Sequence, residues 1–175
     1  MMTLEELFAD PLLKAKDRSA HLRVLLLEGT IKVPALIAFA EKAKPVVKAT
    51  CIEGLEYVTK AKPEFLPEAA LDFCLRALKD KEPRVKWEAA RTIANSIQRF
   101  PARAEEAVKA LLPNASYEGT VVRWSAAHAL AKVITLRTPL NRTLIPKAEA
   151  IVKRETENSI RKIYEATLKR AAKGA

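Results

Sequence analysis

Two tryptophans head matching polar series. Trp87 is followed four residues on by Arg91 and eight on by Asn95, and Trp124 by His128 and Lys132. Residues four apart share one side of a helix. Two neighbouring helices would thus set Trp, Arg and Asn beside Trp, His and Lys. An aromatic and basic patch of this kind suits a peptide, a phosphate backbone or unstacked bases. Packing is the competing reading and stands first, because a helical aromatic more often fills an interface than a site.

A second series is purely basic: Lys48, Lys86, Arg123 and Arg161. On helices packed about 8–10 Å apart, such a row could track a polyanion. Six residues before Lys86 and Arg161 stand Asp80 and Glu155, which are expected to hold them. The matching positions before Lys48 and Arg123 are Lys42 and Tyr117, so these two cations are expected to be freer for binding. The binding candidates are therefore Lys48, Trp87, Arg91, Asn95, Arg123, Trp124, His128 and Lys132.

Catalytic patterns are missing. The two histidines lie far apart, and neither HExxH nor CxxC occurs; a metal site needs several ligands at helical or turn spacing. There is no glycine-rich phosphate loop and no GxSxG. Ser96, Ser116 and Ser125 have no partner to activate them. We expect no catalytic residue, metal or cofactor.

The elements that must carry these residues repeat. Pro83–Ile97 (PRVKWEAARTIANSI) returns as Thr120–Ile134 (TVVRWSAAHALAKVI), with fainter copies at Pro45–Thr59 and Asn158–Ala172. The steps between copies are 38, 37 and 38 residues, the mark of a stacked repeat array. In each copy the third residue is β-branched (Val47, Val85, Val122, Ile160), the seventh is Cys51, Ala89, Ala126 or Tyr164, and the eleventh is Leu55, Ile93, Leu130 or Leu168. This spacing traces one apolar helix face. Tyr164 departs from the small seventh residue, as expected of a last copy with no neighbour beyond it. Thr3 and Glu6 form a capping box for a short first helix ended at Asp10-Pro11. Helices are then predicted over Leu12–Glu28, from Val33, from Pro45, and over Glu64–Lys79, Pro83–Arg99, Ala102–Leu112, Thr120–Leu136, Asn141–Arg154 and Thr156–Lys173. Nothing alternates as a strand would.

With its Asp-containing turn, a proline near the helix start, Val before a basic residue, Ala-Ala and a later aliphatic, residues 78–97 resemble the HEAT consensus of armadillo-type α-solenoids. The resemblance implies an all-α, right-handed α-α superhelix. It would hold a single domain with an irregular N-terminal cap over 1–32 and four helix pairs, about 33–60, 64–99, 102–136 and 141–173. It also implies binding or scaffolding through a concave face. HEAT-repeat di-iron hydroxylases are excluded by the lack of His-Glu pairs. Alkylbase DNA glycosylases share such solenoids but use a carboxylate, typically Asp, among aromatics. Here the inner helices offer Glu53, Glu56, Glu88 and Glu165, with Glu88 beside Trp87 the one stand-in.

Charge narrows the partner. The chain carries a net +10, split as +3 over residues 1–100 and +7 over 101–175. This bias favours an acidic protein, with nucleic acid as the alternative. The basic, amphipathic stretch from Arg161 to Lys173 leaves Ile163, Tyr164 and Leu168 as a surface for self-association or a partner. Cys51 and Cys74 have no pair or metal spacing and are expected as buried free thiols, which suits a cytoplasmic protein. No signal peptide or membrane span is visible.

Overall fold

The structure is a computed structural model and describes residues 2–173. Ten α-helices follow one another, with no strand among the described residues. They are α1 (Leu4–Ala9), α2 (Ala15–Leu27), α3 (Val33–Lys42), α4 (Pro45–Ala61), α5 (Glu68–Ala77), α6 (Pro83–Ser96), α7 (Ala104–Leu111), α8 (Thr120–Thr135), α9 (Asn141–Arg154) and α10 (Asn158–Lys173).

Local chemistry sets the boundaries. The Thr3 hydroxyl accepts from the Glu6 N–H at 3.1 Å and the Glu6 carboxylate accepts from the Thr3 N–H at 2.8 Å, so the capping box opens α1. Leu12 donates to Asp10 Oδ1 at 2.8 Å; this local turn delays α2 to Ala15. The predicted helix over Glu64–Lys79 is interrupted. A residue before proline avoids the α region, and Leu66, ahead of Pro67, is extended. A 3₁₀ turn at Pro63–Phe65 therefore precedes α5.

The even-numbered helices stack in register, α2 on α4, then α6, α8 and α10. The odd-numbered helices form the second layer. They fan apart and are bridged by long side chains: Arg76 to Glu41, and Arg103 to Glu68 and Asp72. The tightly stacked layer is thus the concave one. Its packing face is the repeated apolar stripe: Ala89, Ala126, Ile93 and Leu130 are fully buried. Cys51 and Cys74 are buried free thiols, and burial pushes both up to about 12. Tyr164 is also fully buried and faces inward in the small-residue column rather than out of the last repeat. Ile163 and Leu168 pack against the same core.

The turn edge carries a ladder, offset by one repeat from the expected one. Lys48 is not free: its Nζ reaches Asp80 of the next repeat at 2.7 Å. Arg123 is not free either, since its Nε and Nη2 hold Glu155 at 3.0 and 3.3 Å. Between these rungs, Lys86 donates to Leu78 O at 3.0 Å and to Asn114 Oδ1 at 3.4 Å, and Asn114 itself donates to Leu78 O. Each basic residue thus ties its helix to the turn ahead of the next even helix. Among the described residues Arg161 meets its own helix, at Asn158 and Glu165, and not the expected Glu155.

The ladder carboxylates titrate with folding. Burial pushes the Asp80 carboxyl up, but the bonds from Lys48 and from the Glu82 N–H outweigh it and leave the group below its ordinary 3.8. A depressed carboxyl adds stability that is present above the unfolded value and is lost as pH falls through the folded one. Asp80→Asn should cost about 1 kcal/mol at pH 7. Urea unfolding should show that difference shrinking as pH drops below 3.8.

Candidate functional site

The concave face is built from adjoining stripes. On α6, Arg84, Trp87, Arg91 and Asn95 reach the surface; on α8, Val121, Trp124, His128 and Lys132 do. Neither tryptophan is core. Trp124 is 36% exposed and Trp87 half-buried. The expectation that both fill the repeat interface is corrected: the packing column is the one of Ala89 and Ala126, and the tryptophans sit outside it.

The stripes differ in what their polar atoms already do. On the α6 side nearly every group is taken. Arg91 Nη2 holds Glu56 of α4 at 2.8 Å, with Glu88 at 3.7 Å from Nη1. Asn95 Nδ2 donates to Glu56 O at 3.0 Å and to Thr59 Oγ1 at 3.3 Å. The Trp87 indole donates to Glu88 Oε1 at 2.9 Å. Further along, Glu53 accepts from Arg23 at 2.8 Å and from Arg84 at 2.9 Å, while Arg23 also lies over the Tyr57 ring. Three carboxylates and three guanidinium groups thus cancel across α2, α4 and α6.

That network was missed in the sequence. Its partners lie 30 to 35 residues apart, close to the repeat period, which is the signal that could have found it. A charge pair one repeat apart on the same helix face is a contact in a stacked array.

On the α8 side the groups are open. The helix has no carboxylate. Trp124 meets His128 edge to face, with ring centres 4.3 Å apart. Burial holds the His128 imidazole below its ordinary 6.5, and the charges of Lys132 and Arg91 add to this. It is therefore neutral at pH 7, and Lys132 supplies the charge. Lys132 is exposed and forms no ion pair among the described residues. Of the eight candidates, Trp87, Trp124, His128 and Lys132 form the reachable patch. Arg91 and Asn95 pin α6 to α4, and Lys48 and Arg123 belong to the ladder.

Glu88 and Glu56 are the buried acids of the face. Burial raises the Glu88 carboxyl above 4.5, against the pull of the Trp87 N–H and the Arg91 charge, while the charges of Glu53 and Glu56 push it further up. A raised carboxyl favours the fold below its unfolded value and loses that contribution as pH rises through the folded one. Glu88→Gln, which keeps an acceptor for Trp87, should therefore be at least as stable as the parent at pH 7. Thermal unfolding should show its advantage vanishing below pH 4.5.

The shape has known relatives. Designed armadillo repeat proteins superimpose on it. YIII(Dq)4CqI does so with TM-score 0.73 and 16% identity over 96% of this chain and 80% of that one. The designed protein YIII(Dq.V1)4CPAF, solved in complex with the peptide (KR)4, gives TM-score 0.75 and 16% identity over 95% and 79%. A chain from the complex of CpcE and CpcF of phycocyanin lyase from Nostoc sp. PCC7120 gives 0.71 and 18% over 92% and 94%. At such identities the likeness is one of fold. A search of curated proteins found no match. The family model of HEAT repeats, however, matches residues 33–131, more than half of the chain: the protein belongs to the HEAT-repeat family.

Proposed function

We propose that this protein is a non-catalytic binding module that takes an acidic segment of a partner protein along the α6–α8–α10 side of its concave face. The observation that carries this reading is the asymmetry of the face. Between α2, α4 and α6, Glu53 and Glu56 are matched by arginines at 2.8–2.9 Å and Glu88 lies 3.7 Å from Arg91. Over α8 there is no acid, and α10 has one, Glu165, against five Lys and Arg. Charge left unmatched at the surface steers and holds a partner of the opposite sign.

The aromatics fit the same partner. Trp124 and Trp87 offer flat apolar area beside a cation, the composition of an interface anchor. A designed neighbour was solved with a basic peptide; here Glu53, Glu56 and Glu88 are already neutralised from within and are poor counter-charges for such a ligand. The solved pairing of CpcE with CpcF supports the broader idea that a solenoid of this size engages another polypeptide.

Nucleic acid is the competing partner, and salt separates the two, because binding to a phosphate backbone releases counterions and therefore weakens steeply as salt rises. Calorimetric titration with a ten-residue oligoglutamate peptide should show binding. Trp124→Ala and Lys132→Glu should each weaken it by about tenfold. The oligomer (KR)4 should not bind. Duplex DNA that stays bound at physiological salt, with no heat from oligoglutamate, would overturn the proposal in favour of nucleic acid. Arg91→Ala is unsuitable here, since it strips Glu56 of its cation.

A further inference from the structure

A second surface lies at the N-terminal end of the stack, away from the concave patch. A cleft of about 920 Å³ opens between α1, α3 and the start of α4. Its origin is a mismatch of lengths. α1 has 6 residues and α3 has 10, so α1 covers only part of its neighbour. Phe8 stacks on Phe39 with ring centres 5.4 Å apart. Beside that contact Ala35 and Ala38 remain exposed.

We infer that this cleft docks an amphipathic, acid-flanked helix of a partner protein. The floor is apolar and small, and Ala35, Ala38 and Phe39 follow helical spacing along α3. Small side chains let a second helix approach closely, as Ala89 and Ala126 do inside the stack. The rim sets the sign. Lys32, Lys42 and Lys44 all line the cleft, all are exposed, and none forms an ion pair among the described residues. Glu5 is the one carboxylate in the lining. A helix with apolar residues on one face and Asp or Glu flanking it would continue the stack and match the three lysines. A second copy of this chain is a poor occupant: the chain carries +10, and its closing helix would bring like charge to the rim.

A labelled fifteen-residue peptide with a leucine stripe at helical spacing and flanking glutamates tests this by fluorescence anisotropy on the full chain carrying Trp124→Ala and Lys132→Glu, which disables the concave patch. It should bind, and a lysine-flanked version should not. Ala38→Trp fills the cleft from an exposed position and should abolish binding with the thermal midpoint unchanged. Lys42→Glu in that background should weaken it by about tenfold, which keeps this cleft distinct from the concave patch. Absence of binding, equal binding of both peptides, or full binding by a folded Ala38→Trp protein would overturn the inference. So would sedimentation showing a dimer that Ala38→Trp dissociates, since a second copy would then be the occupant.

Discussion

A pair of helices with apolar stripes on two sides cannot bury both by itself, and the whole chain is arranged around that constraint. Each even-numbered helix must present a face on which the next can lie. The face is Val85, Ala89 and Ile93 in one repeat and Val122, Ala126 and Leu130 in the next, all buried. Close approach needs a small residue at the crossing point, which is why Cys51, Ala89 and Ala126 share one column. In α10 the same column holds the larger Tyr164, which is fully buried and faces inward.

Polar groups then fill what stacking leaves over. A helix start must be tied to the turn ahead of the next even helix, and the ladder from Lys48 to Asp80, Lys86 to Asn114 and Arg123 to Glu155 does this at the turn edge. The network of Arg23, Arg84 and Arg91 with Glu53, Glu56 and Glu88 does it on the concave face. Breaking such a pair exposes an uncompensated, partly buried charge, so these side chains are committed to the fold. What a partner can use is the remainder: the stripe of α8, where no acid is present and the histidine is held neutral, and the apolar floor that the short α1 leaves uncovered.

The fold could be read from the sequence because it is periodic. The copies at Pro45, Pro83, Thr120 and Asn158 mark the starts of α4, α6, α8 and α10, and the apolar columns are the buried ones. The interruption before α5 was also legible, in Pro67, but a helical pattern of apolar residues masked it. The site was harder. Lys48 and Arg123 looked unpaired because the acid six residues earlier was missing, whereas the true partner lies 32 residues later. One rung uses Asn114, which no search for an acid would find. The exposure of Trp124 depends on which side of the crossing point its column falls, and column spacing alone does not fix that.

The two indole N–H groups offer the most direct test, since they sit on either side of the asymmetry. That of Trp87 is bonded to Glu88 at 2.9 Å, while Trp124 lies against His128 on the open stripe. In a nitrogen-15 NMR titration with an acidic peptide, the account predicts that the Trp124 indole resonance moves and saturates together with backbone amides of α8 and α10, while those of α4 stay in place. Shifts concentrated on α4 and on the odd-numbered helices, with the Trp124 indole unmoved, would contradict it.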